Sequence, residues 1–155
     1  MIRQVLTYPH PILLEECAAP AADQVAGLVV DLLDTMRSLP RCWGLAAPQI
    51  GEPARVALVD VSRHPAAEAH NGLLLLINPV ILDRAGKEVG REGCQSLPGV
   101  LADVRRARRI HLRLGAEEKW CSGIEARAVQ HELDHLDGIL ILDRIASAHA
   151  LHFRG

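Results

Sequence analysis

The sequence predicts an α+β domain in which mostly antiparallel sheets pack around a central helix carrying an HExxH element, and three observations lead there. Two segments, one early and one late in the chain, repeat apolar residues at the helical period. Between them lie short aliphatic runs of strand character, separated by turn signals. These strands do not alternate regularly with helices, which sets the pattern apart from a doubly wound α/β domain. At 155 residues the chain is expected to form a single domain over 1 to 155, long enough to bury a core without disulfides.

The first helix is predicted over 21 to 39, where Val25, Leu28, Val29, Leu32, Leu33, Met36 and Leu39 fall on one stripe and Pro40 ends it. Gly44 to Gly51, made of small residues between glycines, reads as a loop or edge segment where backbone approaches a ligand. Strands are expected at Arg55 to Val61, Leu73 to Asn78, part of Val80 to Val89, and Arg109 to Leu114, with a surface loop from His64 to Gly72. Ser122-Gly123-Ile124-Glu125 fits an S-x-x-E capping box at the start of the second helix, and Gly138 is placed to stop it. On a helical wheel His131 and His135 share a face with Ile124 and Ala128, while Val129, Leu133 and Leu136 point roughly opposite, so both sides of this helix must be covered.

Composition excludes several function classes. A formal charge of -2 gives no general attraction to nucleic acid or anionic membrane, so no specific DNA partner is expected. The run Arg105-Arg106-Ala107-Arg108-Arg109 is the local exception and reads as a solvated strand entrance or turn. The N-terminus lacks the apolar stretch of a signal peptide, and the longest aliphatic run, Leu73 to Ile77, is too short to span a bilayer; a cytoplasmic protein is expected. Cys17, Cys42, Cys94 and Cys121 show no repeating spacing, which argues against a disulfide framework.

The chemistry concentrates at His131-Glu132-Leu133-Asp134-His135. Two imidazoles four residues apart on one helix face can grip a divalent cation, with Glu132 beside them as proton carrier. The third ligand separates a peptidase from other metal hydrolases. A third histidine after Gly138 is excluded, because the position where it would fall is Ile141, and no glutamate follows Glu132. The better candidate lies upstream, where Glu92-Gly93-Cys94-Gln95-Ser96 offers a thiol in a glycine-containing stretch. One Cys with two His is an established three-ligand set with an open fourth position. Cys17, Cys42, Cys121 and the other six histidines read as structural or solvated.

Three segments now stand together: Gly44-Leu45-Ala46-Ala47-Pro48-Gln49, Glu92-Gly93-Cys94-Gln95-Ser96 and Gln130-His131-Glu132-Leu133-Asp134-His135. In this order they resemble the three signature motifs of the peptide deformylases, GxGxAAxQ, EGCxS and HExxH. The likeness extends to Tyr8-Pro9, to Ile77-Asn78-Pro79, and from Gly138 through Arg144.

The resemblance implies removal of the formyl group from the N-terminal formylmethionine of nascent polypeptides, with formate released. It implies one divalent metal, Fe(II) in the cell with Zn, Ni or Co able to replace it, held by Cys94, His131 and His135. Glu132 is then the general acid-base, while the Gln49 side-chain amide and the Gln95 backbone N–H meet the developing oxyanion. Gly44 suits main-chain pairing with an extended substrate, and Trp43 would form part of the pocket wall. The implied partners are an N-formylmethionyl peptide and a transient contact with the ribosome, for a monomer.

Three positions depart from the pattern. Cys42 and Trp43 replace smaller residues in the first motif, and Gln95 stands where an aliphatic residue is usual. They motivate two competing functions: a deformylase-like amidohydrolase with altered substrate range, and a non-catalytic metal-binding paralogue. Retention of Glu132 and Gln49 weighs against the second, since a pure binder has no use for a proton carrier.

Overall fold

A stretch buried on both faces must be apolar throughout, and Val56-Ala57-Leu58-Val59 is the segment that meets this condition. In the computed structural model, which describes residues 1–154, it is the middle strand of the first sheet. Helix α1 (Val25–Ser38) precedes this sheet, which contains β1 (Gly44–Ala46), β2 (Val56–Val59) and β3 (Leu74–Ile77), paired antiparallel in the order β1-β2-β3. Side chains alternate along a strand, so Val56 and Leu58 face α1 and pack on Leu28, Leu32 and Met36. Ala57 and Val59 face the opposite way, among Val129, Leu133 and Leu136.

Those last residues belong to α2 (Gly123–Leu136), which carries the HExxH element. The remaining strands are β4 (Val80–Ala85), β5 (Glu88–Gly93), β6 (Val100–Arg106), β7 (Arg109–Leu114), β8 (Glu117–Ser122) and β9 (Leu151–Phe153). They form two further antiparallel sheets, β4-β7-β8 and β5-β6-β9. Helix α2 therefore runs through the interior, as its two apolar faces required. No helix among the described residues is long and apolar enough to cross a membrane.

Several expectations change in detail. The first helix begins at Val25, because Ala22–Gln24 forms a 3-10 turn ahead of it. The Val80 to Val89 region divides between two sheets, and the turn at Gly86, φ +71°, passes the chain from one to the other. Strands β6 and β8 were not legible, since charged residues mask the alternation in both: Leu101-Ala102-Asp103-Val104-Arg105-Arg106 and Glu117-Glu118-Lys119-Trp120-Cys121.

Helix α2 starts at the expected place by a different device. The Ser122 side chain makes no capping hydrogen bond, and Glu125 is buried, accepting from the Asn71 backbone N–H at 2.7 Å and from Asn71 Nδ2 at 2.6 Å. The carboxylate thus ties α2 to the exposed loop at its flank. At the other end Gly138 takes φ +72°, and a Cβ there would fall 2.7 Å from the Leu14 carbonyl oxygen. Only glycine satisfies both demands.

Candidate metal centre

A strand and a helix converge on one cleft of about 650 Å³. Strand β5 ends at Gly93 and delivers Cys94, while α2 presents His131 and His135 one turn apart. One donor atom from each of Cys94, His131 and His135 lies within 4.8 Å of the others. The Cys94 Sγ is 3.3 Å from His135 Nε2. These are a thiol and two imidazoles, a donor set suited to zinc or a first-row transition metal.

His131 is held by the group behind it, whereas His135 Nδ1 is buried without a hydrogen-bond partner among the described residues. His131 Nδ1 donates to Glu92 Oε1 at 2.9 Å, which leaves Nε2 as its free nitrogen. Glu92 also receives Nε and Nη2 of Arg106, at 2.7 and 2.9 Å, and Nη1 of Arg127 at 2.7 Å. Arg106 Nη1 continues to Asp134 Oδ2 at 2.8 Å, and Arg144 closes the chain of charges on the same carboxylate. Burial alone would raise the Glu92 pKa, but hydrogen bonds from His131 and Arg106 hold it well below the usual carboxylate range. Burial, with the Arg106 charge acting the same way, pushes His135 well below its ordinary value, so it stays neutral as a metal ligand must.

Glu132 lies next to His131 and is buried, with Oε2 making no hydrogen bond among the described residues. Burial raises its pKa to about 7, against the lowering pull of His131 and Arg106. A buried carboxylate oxygen without a partner marks a place built to receive another group. Gly44 stands against it, since a Cβ on this residue would be 2.8 Å from Glu132 Oε1. The glycine thus has a steric reason that the sequence did not show.

Gln49, in the 3-10 turn Ala47–Ile50, is buried and fully oriented. Its Oε1 accepts from the Ala46 N–H at 3.0 Å, so Nε2 is the end turned to the cleft, 3.1 Å from Ser96 Oγ and 3.9 Å from Cys94 Sγ. Gln95 follows Cys94 in the turn, and among the described residues its backbone N–H donates to no backbone carbonyl. Its side chain is half-exposed, so water can satisfy the amide and the desolvation cost expected for a buried polar group does not arise.

Trp43 lines the cleft, half-buried, with its ring 4.8 Å from that of His64. The Cys42 thiol donates to the Gly44 carbonyl at 3.2 Å, and burial beside Glu132 pushes its pKa up to about 12. It is a protonated wall residue. Cys17 and Cys121 are buried thiols that are not part of the donor group.

The structure therefore brings together every residue singled out for the site. Sequence reasoning missed the supporting shell of Arg106, Arg127, Asp134 and Ser96. Arg105, Arg108 and Arg109 are exposed, as a solvated basic turn predicts, but Arg106 is only 6% exposed. The available signal was its alternation with Ala102 and Val104, both buried on the same face of β6.

Comparison with known proteins agrees with this geometry. The family model described as polypeptide deformylase matches residues 2–150. A peptide deformylase of Alkalilimnicola ehrlichii is 44% identical over 153 residues, covering 94% of this chain and 83% of the relative. One from Dictyoglomus thermophilum is 40% identical, covering 93% of each. Among solved structures, the peptide deformylase of Thermotoga maritima superposes with a TM-score of 0.84 at 31% identity, over 95% of this chain and 99% of that one. A class I type b peptide deformylase from Acinetobacter baumannii bound to Met-Ala-Ser gives 0.84 at 31% identity, over 94% and 99%.

Proposed function

The chain belongs to the polypeptide deformylase family, and from that premise we infer how its residues hydrolyse the formamide of an N-formylmethionyl peptide to formate and a free amino terminus. It is a metal-dependent hydrolase acting on a linear amide C–N bond. The observation that carries the reading is the convergence of Cys94, His131 and His135 donor atoms within 4.8 Å, beside a Glu132 carboxylate oxygen that has no hydrogen-bond partner among the described residues.

Cys94, His131 and His135 would hold the cation, Fe(II) in our reading with Zn, Ni or Co as replacements. It would supply Lewis acidity, lowering the pKa of a coordinated water from about 15.7 toward about 7. The thiolate tempers that acidity and favours soft, redox-capable metals. Glu92, clamped by Arg106 and Arg127, keeps His131 in one tautomer and orientation.

Glu132 takes the proton of the attacking water as oxygen bonds to the formyl carbon. When the C–N bond breaks it returns that proton to the departing amine, a role worth roughly 10² to 10⁴ in rate. Burial raises its pKa above the usual carboxylate range, the direction that a group both accepting and donating a proton requires. The formyl oxygen gathers negative charge, and Gln49 Nε2 and the Gln95 N–H are the donors assigned to it, each typically worth about 3 kcal/mol. Gly44 leaves room for Glu132 and lends backbone to the substrate, while Trp43 shapes the wall.

We take 1 to 155 as one catalytic unit, cytoplasmic and monomeric, meeting its substrate in passing contact with the ribosome. The test is formate release from a short N-formylmethionyl peptide by protein prepared without oxygen and loaded with Fe(II). An acetylmethionyl peptide is the control. No formate with the metal fully bound would overturn the activity; equal release of acetate would favour an amidohydrolase of wider range.

A further inference from the structure

On another face of α2, bordered by Gln130, Leu133 and Asp134, lies a second cavity of about 830 Å³. Arg55, Arg84, Lys87, Arg105, Arg106 and Arg144 line it, opposed by the carboxylates of Asp134 and Asp137 alone. Both carboxylates are engaged. Asp137 pairs with Arg55 at 2.9 Å, and Asp134 with Arg106 at 2.8 Å and Arg144 at 3.1 Å. Arg84, Lys87 and Arg105 are exposed, and among the described residues none has a carboxylate at salt-bridge distance. The net charge of the chain is -2, so this concentration of positive charge does not follow from composition.

We propose that this cavity is a binding site for a small organic anion carrying two or more phosphate groups. The three free cations stand on different elements: β4, the β4–β5 turn and β6. Separated cations call for separated negative groups rather than one small ion, and guanidinium forks match phosphate oxygens two at a time. One wall, Pro79, Val80 and Ile81, offers apolar surface to a carbon skeleton. The volume lies in the range of about 300 to 1,000 Å³ usual for small-molecule sites. No aromatic ring lines the cavity, so the stacking platform of a single-stranded nucleic-acid site is missing.

The test is calorimetric titration of the metal-loaded full chain with fructose 1,6-bisphosphate at low ionic strength, with metal content checked afterwards. One-to-one binding that weakens with salt is expected, reduced at least about tenfold in the double variant Lys87→Glu, Arg105→Glu. Formate release by that variant should be unchanged, since neither residue touches the metal cleft. Arg84→Ala should weaken binding on its own. Absence of binding by the wild type, or equal binding by the double variant, overturns the proposal. Inorganic phosphate bound as tightly as the bisphosphate would reduce the cavity to a single-ion site and overturn it too. So would a short RNA that binds more tightly and is not displaced by the bisphosphate.

Discussion

The Cα of Gly44 lies against the carboxylate of Glu132, so close that a Cβ would meet Oε1 at 2.8 Å and Cγ at 2.9 Å. Glu132 sits on α2 among packed neighbours and cannot retreat without losing its aim into the cleft. Gly44→Ala is therefore expected to displace the carboxylate and lower kcat/KM by about 10²-fold or more, the usual consequence of moving a catalytic group by about 1 Å. Bound metal, measured by elemental analysis, should be unaffected. Full activity in this variant would show that the glycine serves only backbone pairing.

Glu132 and Cys94 should separate cleanly under mutation. Glu132→Gln keeps the shape of the side chain and removes its basicity, so metal content should persist while turnover falls roughly 10² to 10⁴-fold. Cys94→Ala removes a ligand, so metal is lost first and activity with it. Anaerobic reconstitution followed by formate assay distinguishes the two. Equal metal content and equal residual activity in both would contradict these roles.

Arg106 bridges Glu92 and Asp134 with its side chain 4% exposed. Arg106→Met would leave two buried carboxylates short of their main counter-charge, and breaking such a pair costs about 3 to 5 kcal/mol. His131 would also lose the firm orientation that Glu92 provides, so metal affinity should fall about 10 to 100-fold. Arg106→Lys should rescue only in part, because an ammonium cannot reproduce the fork on Glu92. Denaturant melts and metal titration are the measurements. A variant as stable as wild type would mean that Arg127 alone suffices for Glu92.

How far the sequence could be read follows from where each signal resides. The candidate ligands were legible because chemistry restricts their residue types: His131 and His135 at helical spacing, and Cys94 once Ile141 and the glutamate-free tail excluded the downstream alternatives; the structure places their donor atoms together. Helix α1 was legible because Leu28, Leu32 and Met36 repeat at its period. Arg106 was not, since one arginine in a basic run looks like any other until pairing of β6 with β5 turns it toward Glu92. The Ser122–Glu125 box was legible but misleading, because a local motif competes with partners distant in sequence. Asn71 wins that competition for Glu125.

This outcome makes a direct prediction about the start of α2. Ser122→Ala should change stability by less than about 0.5 kcal/mol, as for an ordinary exposed position. Glu125→Ala should cost about 1 to 3 kcal/mol, because the Asn71 donors lose a buried acceptor. Chemical denaturation of both variants compares them directly. A large loss from Ser122→Ala would restore the capping box.

The four thiols should divide by metal occupancy. Burial pushes Cys17 up to about 11, and Cys42 and Cys121 up to about 12, so each is a protonated thiol at pH 8. Because only the thiolate attacks an alkylating agent, their reactive fraction at that pH is about 10⁻³ or less. It grows only as pH approaches those values, so raising the pH from 7 to about 9 should leave them unmodified in the folded protein. Cys94 opens on the cleft, half-buried, and is one of the three donors. Iodoacetamide followed by mass spectrometry should therefore find one adduct, on Cys94, in metal-free protein and none in metal-loaded protein. Modification of Cys42 ahead of Cys94, or a pattern indifferent to metal, would mean that Cys94 does not ligate and that the ligand group needs another third member.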